Sequence, residues 1–220
     1  MQSNIILFDI DYTLFDVGKF KDRVFDTLEK LLPDVANVKG IALQSYDEIR
    51  KFSAFNPELF TAQFLTHIPM LHSKKLLQNV WTDKAILLDC LYPETKMVLE
   101  KISQQHNITL GIFSSGLGFF QKAKIETIAG YFSEEHMHIH TIKDEKLSEI
   151  LSSYNGRRVI LVDDYMEVLE KAKAIDNTVV TMWVKRGKFA ERAAISATFV
   201  PDFTIDTLIE VLPILDQFDN

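Results

Sequence analysis

The chain has 220 residues, enough for one large domain or for a core domain with a small insert, and its 47% hydrophobic and 25% charged residues are typical of globular proteins. The formal net charge of -7 disfavours nonspecific binding to nucleic acid and to anionic membranes, and no apolar run approaches the roughly 20 residues of a membrane-spanning helix. The single cysteine, Cys90, excludes an intrachain disulfide and is typical of a reducing compartment. We therefore expect a cytoplasmic protein that binds neither nucleic acid nor membranes.

The first part of the chain predicts one buried strand followed by a long helical stretch. Residues 4–8 (NIILF) form a short apolar run with strand-like branching. Residues 20–32 carry apolar side chains at helical spacing, and residues 41–90 are helix-like without a convincing strand. A further helix is predicted over 93–105, with a proline in its first turn. We interpret residues 18–90 as a helical cap inserted after the first strand.

From residue 108 onward, strand patterns alternate with helix patterns. Such alternation indicates a parallel sheet covered by helices on both faces. The predicted fold class is therefore α/β, with a three-layer, Rossmann-like core and a mostly parallel sheet over residues 1–17 and 91–220. Strands are predicted over 108–113, 137–142, 159–162 and 178–184, and helices over 118–128, 144–153, 165–174 and 206–215.

A pair of carboxylates, Asp9 and Asp11, follows the first predicted strand. Two acids this close together at a buried strand end repel each other unless a cation offsets their charge. Mg²⁺ prefers oxygen ligands, and a carboxylate beside it can attack a phosphoryl group while a second acid handles the proton. The alternative is a solvated turn in which these acids cap the backbone.

Polar clusters also follow two later strands. Ser114, Ser115 and Gly116 come after the strand ITLGIF, where hydroxyls and backbone N–H groups suit phosphate oxygens or else cap a helix. Asp163 and Asp164 come after the strand VILV, where they complete a metal site or else start a helix. Because ligands of such sheets bind outside the carboxyl ends of the strands, we expect all three clusters to meet.

For three further charged residues, the sequence pattern leaves two roles open. Glu167 lies one helical turn after Asp164 and is a possible metal ligand or a favourable first-turn charge. Lys143 follows the strand MHIHTI and could balance phosphate charge, with Lys146 one turn later as the alternative. Acids, hydroxyls and a lysine together are the components of a phosphoryl-transfer site.

These motifs resemble those of the haloacid dehalogenase (HAD) superfamily. The segment ILFDIDYTLF matches the family's first motif, Asp-x-Asp-x-Thr after an apolar strand. The segment GIFSSG matches the second motif, Lys143 fits the third, and VILVDDYMEV matches the fourth. The insert between the first two motifs is similar to the family's helical cap of the first type. The resemblance covers most of the chain outside that insert.

The resemblance implies a role for each matching residue. Asp9 would be the nucleophile and a Mg²⁺ ligand, and Asp11 would be the general acid/base and a ligand through its backbone carbonyl. Asp163 would complete the metal site. The transferred phosphate would be held by Ser114, Ser115, Gly116 and Lys143. Thr13 would brace the first loop. Asp164 and Glu167 are the alternatives for a further acidic metal ligand, and Lys146 is the alternative to Lys143.

The function predicted from the sequence is Mg²⁺-dependent hydrolysis of a small phosphorylated metabolite through an aspartyl phosphate. A haloacid dehalogenase-type hydrolase is less favoured because that branch lacks the second aspartate of the first motif, which this chain has as Asp11. A phosphomutase uses both aspartates, and nothing in the predicted cap distinguishes it. A non-catalytic interaction protein on the same fold is the remaining alternative.

Overall fold

A six-stranded sheet lies at the centre of the computed structural model, which describes residues 4–52, 54–68, 73–187 and 199–218. The strand order is β3-β2-β1-β4-β5-β6, and every pairing in the sheet is parallel. The predicted α/β class with a Rossmann-like parallel sheet is thus confirmed. The strands are β1 (Asn4–Phe8), β2 (Ile108–Ser115), β3 (Met137–His140), β4 (Arg158–Asp163), β5 (Val180–Val184) and β6 (Phe203–Ile205).

Helices cover both faces of the sheet, which gives three layers. Among the described residues, six α-helices lie between β1 and β2, and four more connect or follow the later strands. The six are α1 (Val17–Leu31), α2 (Val38–Arg50), α3 (Pro57–Thr66), α4 (Lys74–Asn79), α5 (Lys84–Leu88) and α6 (Thr95–Ser103). The four are α7 (Gly118–Lys124), α8 (Leu147–Ser153), α9 (Met166–Ile175) and α10 (Val211–Leu215).

The central strand β1 is buried along its whole length because both of its faces meet apolar helices. Ile5 and Leu7 pack with residues of α8 and α9, whereas Ile6 and Phe8 pack on the opposite face with residues of α6 and α10. Successive side chains of a strand point to opposite faces, so the continuous run NIILF fills both layers. This burial fixes the end of β1, so that Asp9 is the first residue after the strand.

The α1–α5 segment, residues 17–88, leaves and rejoins the core at neighbouring points. The backbone N–H of Asp16 donates to the carbonyl of Cys90 over 2.7 Å, and that of Tyr92 donates to Leu14 over 3.0 Å. Its first helix starts one residue before the predicted insert at 18–90. The division of the chain into core and cap stays a prediction.

Aromatic side chains hold the α1–α5 segment together. The indole of Trp81 is 1% exposed, and the rings around it lie with centroids 4.4–6.4 Å away. Offset and edge-to-face contacts of this kind add to the free energy gained by burial. The surrounding rings are Phe20, Phe25, Tyr46, Phe55 and Phe60.

Several predicted elements differ in extent from those of the structure. The single helix predicted over 206–215 is wrong: a 3-10 turn at Leu208–Glu210 precedes the short α10, and Thr207 forms a capping box with Glu210. The helix predicted over 118–128 ends at Lys124, and β6 was not predicted. Within the described residues, no helix has both the length and the apolar character required to cross a bilayer.

Candidate active site

The polar residues predicted from the sequence lie at the carboxyl ends of four parallel strands. Phe8, the last residue of β1, is in register with Ile112 of β2 and Val162 of β4. Asp9 therefore emerges between the ends of these two neighbours, and its N–H donates to the carbonyl of Val162 over 2.9 Å. Lys143 approaches from the turn after β3. The sheet brings the predicted clusters together because parallel strands end at one edge.

Three buried carboxylates form the centre of this site. Oxygens of Asp9, Asp163 and Asp164 all lie within 4.8 Å of one another. The ammonium of Lys143 lies 2.7 Å from Asp9 and 2.5 Å from Asp163. One oxygen of Asp164, Oδ2, is buried and has no hydrogen-bond partner among the described residues. The cluster therefore carries three acids against one lysine and leaves a carboxylate oxygen available for a ligand.

Burial sets the protonation behaviour of these groups. It raises the pKa of Asp9 and raises that of Asp163 to about 7, and in both cases Lys143 opposes the rise. Burial also raises the pKa of Asp164 well above its usual value, with the Asp163 charge adding to the effect. Burial alone would lower the pKa of Lys143, but the two carboxylates that it contacts outweigh that effect and raise it.

The residues present fit a hard divalent cation. Carboxylate oxygens are the ligands that Mg²⁺ prefers, and a bound cation offsets the repulsion that otherwise favours protonation. The unpartnered oxygen of Asp164 is the specific sign of this fit, since buried polar atoms are ordinarily paired. Asp9, Asp163 and Asp164 are the residues that would hold the ion.

Asp11 lines the site, and side chains of the neighbouring helix α7 hold its carboxylate in place. Lys124 of α7, 5% exposed, lies with its ammonium 2.6 and 2.9 Å from the two Asp11 oxygens. Gln121, one turn earlier, donates to Asp11 over 3.3 Å and to the carbonyl of Ser115 over 2.5 Å. The Lys124 ammonium also lies over the Phe120 ring, 4.7 Å from its centroid. Asp11 is therefore fixed by two donors that the sequence motifs do not include.

The loop after β1 has an unusual backbone at Tyr12, which has a φ of 61°. A left-handed conformation costs a non-glycine residue roughly 1–2 kcal/mol, so surrounding contacts must hold it. Gly187 supplies one of them, because a Cβ at that position would overlap the Tyr12 ring. Thr13, predicted to brace the loop, is fully buried, and its carbonyl accepts a hydrogen bond from Arg186 over 3.5 Å.

The loop after β2 presents its groups toward Asp9 and Lys143. Ser114 is fully buried, and its hydroxyl forms no hydrogen bond of ordinary length. It nevertheless lies close enough to Asp9 to lower the pKa of that carboxyl group. The Ser115 hydroxyl accepts from the N–H of Lys143 over 3.3 Å. Gly116, with a φ of 139°, donates its N–H to the carbonyl of His140 over 2.8 Å. This loop is thereby joined to the end of β3.

Two of the alternative residues do not reach the cluster. The ammonium of Lys146 lies 2.8 Å from Glu149 on the exposed side of α8, because residues 143–146 form a 3-10 turn that separates the two lysines. Glu167 accepts a hydrogen bond from the Tyr165 hydroxyl at an exposed position. Of each pair of alternatives, the structure places Lys143 and Asp164 in the site.

A cavity of about 510 Å³ opens above these residues. We call its strand-end surface the acidic floor, formed by Asp9, Asp11, Ser114, Lys143, Asp163 and Asp164. The opposite surface comes from the α1–α5 segment, and we call it the aromatic wall, formed by Phe20, Lys21, Tyr46, Phe55 and Trp81. From the sequence, the aromatics of this segment are expected mainly in its core, with the lining of an apolar pocket as the alternative, and Phe55 and Trp81 of the wall are among them. The density of aromatics in this segment was the available signal.

Lys124 and Gln121 contact Asp11 in the candidate site, and the sequence motifs do not include them. Both follow the Ser-Ser-Gly cluster in a predicted helix, spaced three residues apart so that they share a face. A lysine on an otherwise apolar helix face directly after a polar strand end is the signal that could have identified them.

Comparison with known proteins finds solved structures that share this architecture. No family model matches the chain, and no curated protein matches it. Among solved structures, a haloacid dehalogenase-like hydrolase from Burkholderia xenovorans superposes with a TM-score of 0.80 at 18% identity, covering 99% of each chain. The HAD-hydrolase YfnB from Bacillus subtilis, bound to magnesium, superposes with a TM-score of 0.66 at 14% identity, covering 98% of this chain and 100% of its own.

A third structure, the 2-haloacid dehalogenase from Pseudomonas syringae, gives a TM-score of 0.58 at 16% identity over 98% of this chain and 99% of its own. These similarities extend over the whole length of the chains, the α1–α5 segment included. Together with the six-stranded parallel sheet and the polar strand ends, they establish that this chain has the fold of the haloacid dehalogenase-like hydrolases.

Proposed function

We propose that this chain is a Mg²⁺-dependent hydrolase of phosphate monoesters that acts on a small phosphorylated metabolite. The observation that carries the proposal is the buried group of three carboxylates around Lys143, with one Asp164 oxygen unpartnered. Three carboxylates against one lysine leave an excess of negative charge that a bound divalent cation would offset. The magnesium bound in the structurally similar YfnB adds support for the choice of metal.

Asp9 is the proposed nucleophile because it lies in the buried centre of the site and Lys143 holds its carboxylate. Its carboxylate oxygen attacks phosphorus, and the bond from phosphorus to the leaving-group oxygen breaks, which leaves an aspartyl phosphate. Ser114 and Lys143 hold the phosphoryl oxygens during this transfer. A bound Mg²⁺ would neutralise charge on the phosphoryl group and on the acids that hold it.

Asp11 is the proposed acid and base. In its protonated form it gives a proton to the departing oxygen and becomes a carboxylate. It then takes a proton from the water that attacks the aspartyl phosphate, so phosphate leaves and Asp9 is restored. Lys124 and Gln121 hold Asp11 beside the reacting groups through donors 2.6–3.3 Å away.

The test is hydrolysis of a generic aryl phosphate by the wild type and Asp9→Asn, with Mg²⁺ and with EDTA. Phosphate release is expected from the wild type with Mg²⁺ alone and should fall by about 10³-fold or more in the variant. Asp22→Asn, an exposed acid of α1, is the matched control and should retain full activity. Equal activity in the wild type and Asp9→Asn would rule out Asp9 as the nucleophile. Activity in excess chelator would rule out the metal requirement. Activity in neither protein would favour the non-catalytic interaction protein.

A haloacid dehalogenase-type reaction is the second candidate, favoured by the similarity to the Pseudomonas syringae enzyme. In that reaction Asp9 attacks carbon and a halide leaves without needing a proton. Asp11 and the unpartnered Asp164 oxygen would then have no catalytic purpose. Chloride release from 2-chloropropionate, measured with EDTA present, decides between the two reactions. A phosphomutase would instead transfer phosphate within its substrate and release none.

A further inference from the structure

The aromatic wall differs in charge from the acidic floor. Among the described residues, every acid that lines the cavity comes from the sheet side, and none comes from the α1–α5 segment. The charged residues that this segment contributes to the lining, Lys21 and Arg50, are both cations. The end of the cavity farthest from the strand ends is therefore positive and aromatic.

Two hydrogen-bond donors belong to residues of this wall. Lys21 is half-buried, its ammonium lies over the Tyr46 ring, 5.1 Å from its centroid, and no carboxylate of the described chain pairs with it. The indole N–H of Trp81 has no acceptor among the described residues, but its nitrogen is buried away from the open cavity. The Lys21 ammonium is therefore a donor of the wall that an acidic group of a ligand can reach.

The wall lies on the Asp11 side of the floor. The Phe120 ring contacts both regions: Lys124, which holds Asp11, lies 4.7 Å from its centroid, and the Phe55 ring lies 5.4 Å away. Phe55 in turn stacks on Tyr46 at 5.2 Å. Because Asp11 is the proposed donor to the leaving-group oxygen, the leaving group extends from Asp11 toward this wall.

We propose, resting on the phosphatase function above, that the aromatic wall is a second anion subsite for the leaving group of the substrate. Lys21 binds an acidic group on that leaving group. The rings of Phe20, Tyr46 and Phe55 pack against the apolar body that carries the group. The substrate class is thus a phosphate monoester with a second acidic group, either a carboxylate or a second phosphate.

The size of the cavity agrees with such a substrate. Pockets for small molecules ordinarily enclose about 300–1,000 Å³, and this one, at about 510 Å³, holds much more than a phosphate ion. A neutral leaving group would fill the same volume but would leave the Lys21 ammonium with water as its only acceptor. The acidic group therefore distinguishes this substrate class from neutral esters of equal size.

Matched aryl esters test the proposal. The probes are 4-carboxyphenyl phosphate, its neutral isostere 4-carbamoylphenyl phosphate, and 1,4-phenylene bisphosphate. We expect kcat/KM for the better of the two acidic probes to exceed that for the amide by about tenfold, the effect of one charge-assisted hydrogen bond. Whichever acidic probe is preferred identifies the group as a carboxylate or a phosphate.

Substitutions separate this preference from the different reactivities of the esters, which cancel when each variant is compared with the wild type. Lys21→Met should reduce the acid-to-amide ratio about tenfold, and Lys21→Arg should retain most of it. Lys30→Met, which removes an exposed lysine of the same helix, should leave the ratio at the wild-type value. An unchanged ratio in Lys21→Met would overturn the proposal.

Binding to Asp9→Asn distinguishes failure of the subsite from failure of the phosphatase function. Calorimetry with Mg²⁺ and each intact ester needs no turnover. Tighter binding of an acidic probe, lost in Asp9→Asn/Lys21→Met, supports the subsite even if no ester is hydrolysed by the wild type. Equal binding of acidic and neutral probes rejects the subsite, even if all three esters are hydrolysed.

Discussion

The acidic floor and the aromatic wall enclose the same cavity but are built in different ways. Each floor residue lies at or within a few residues of a strand end, so the hydrogen-bond ladder of the sheet fixes its backbone. The wall consists of helix and loop side chains that pack mainly against one another around Trp81. The sheet therefore positions the groups of the proposed catalytic site, whereas side-chain packing shapes the surface proposed to select the substrate.

This difference has consequences for substitution. A floor residue contributes charge or a proposed metal ligand at one fixed point, so its loss should affect activity far more than folding. A wall residue contributes buried area, so its loss should affect folding as well as recognition.

Asp163→Asn should have the largest effect. Asp163 is fully buried, contacts Lys143 and belongs to the proposed metal site. We expect activity to fall about 10³-fold or more, because the ligand set loses a charge that a neutral amide cannot replace. Calorimetry with Mg²⁺ alone supplies a readout that is independent of turnover. Wild-type Mg²⁺ affinity in Asp163→Asn would place the metal elsewhere, and Asp22→Asn is the control for a general change of charge.

Trp81→Ala should unfold the wall. The side chain is buried and surrounded by rings, and replacing a buried tryptophan with alanine ordinarily costs about 3–5 kcal/mol. Urea unfolding measures the loss in the free energy of unfolding. Phe52→Ala, in the same segment but 88% exposed, should change it by less than about 0.5 kcal/mol. A loss for Trp81→Ala no larger than that control would show that the wall does not depend on this packing.

Lys124→Met should lower kcat about 100-fold, with a smaller change in KM, because Lys124 contacts Asp11, the proposed acid and base. Lys124→Arg should recover part of the loss, since a guanidinium also donates to both carboxylate oxygens. Lys122→Met removes an exposed lysine of the same helix that pairs with Glu134, and it should leave kcat unchanged. A rise in KM with unchanged kcat would instead assign Lys124 to the binding of substrate.

The smallest effect concerns β3, which lies outside both regions. The imidazoles of His136 and His138 lie 3.1 and 2.7 Å from the Tyr154 hydroxyl, and burial lowers the pKa of each. The unfolded chain then binds protons more readily than the folded one. Their contribution to stability is therefore present above the unfolded pKa of about 6.5 and is lost as the pH falls below it.

His138→Gln should reduce this pH dependence. The drop in Tm between pH 7.5 and pH 5.5 is expected to be smaller than in the wild type by up to about 2 °C. His106→Gln, at an exposed position, is the control and should leave the drop unchanged. A larger drop in His138→Gln would mean that the folded protein binds the proton more tightly than the unfolded chain, the opposite of what burial of the imidazole causes.

The parts of the site that the sequence predicted are those attached to the sheet. An apolar run that ends in polar residues indicates a strand end, and parallel strands end at one edge, so the meeting of Asp9, Ser114 and Asp163 followed from pattern alone. The α/β fold itself followed from the alternation of strands and helices. These inferences need only short-range periodicity and the topology of parallel sheets.

The remaining parts depend on where helices dock, which local patterns do not encode. Lys143 and Lys146 could not be distinguished, because a 3-10 turn turns the second lysine toward solvent. Lys124 was missed because its role depends on how α7 packs against the Asp11 loop. The edge strand β6 has three residues, too few for a period to be recognised.

The two chain connections between the core and the α1–α5 segment lie side by side. Backbone hydrogen bonds join them at this joint, one between Asp16 and Cys90 and one between Leu14 and Tyr92. A segment attached in this way can be lengthened, shortened or exchanged as a unit, because both of its ends stay where the sheet needs them. Evolution can therefore fit the same strand ends to new molecules by replacing one contiguous stretch of coding sequence. For the protein engineer, the same joint marks where a foreign segment can be grafted without redesigning the sheet beneath it.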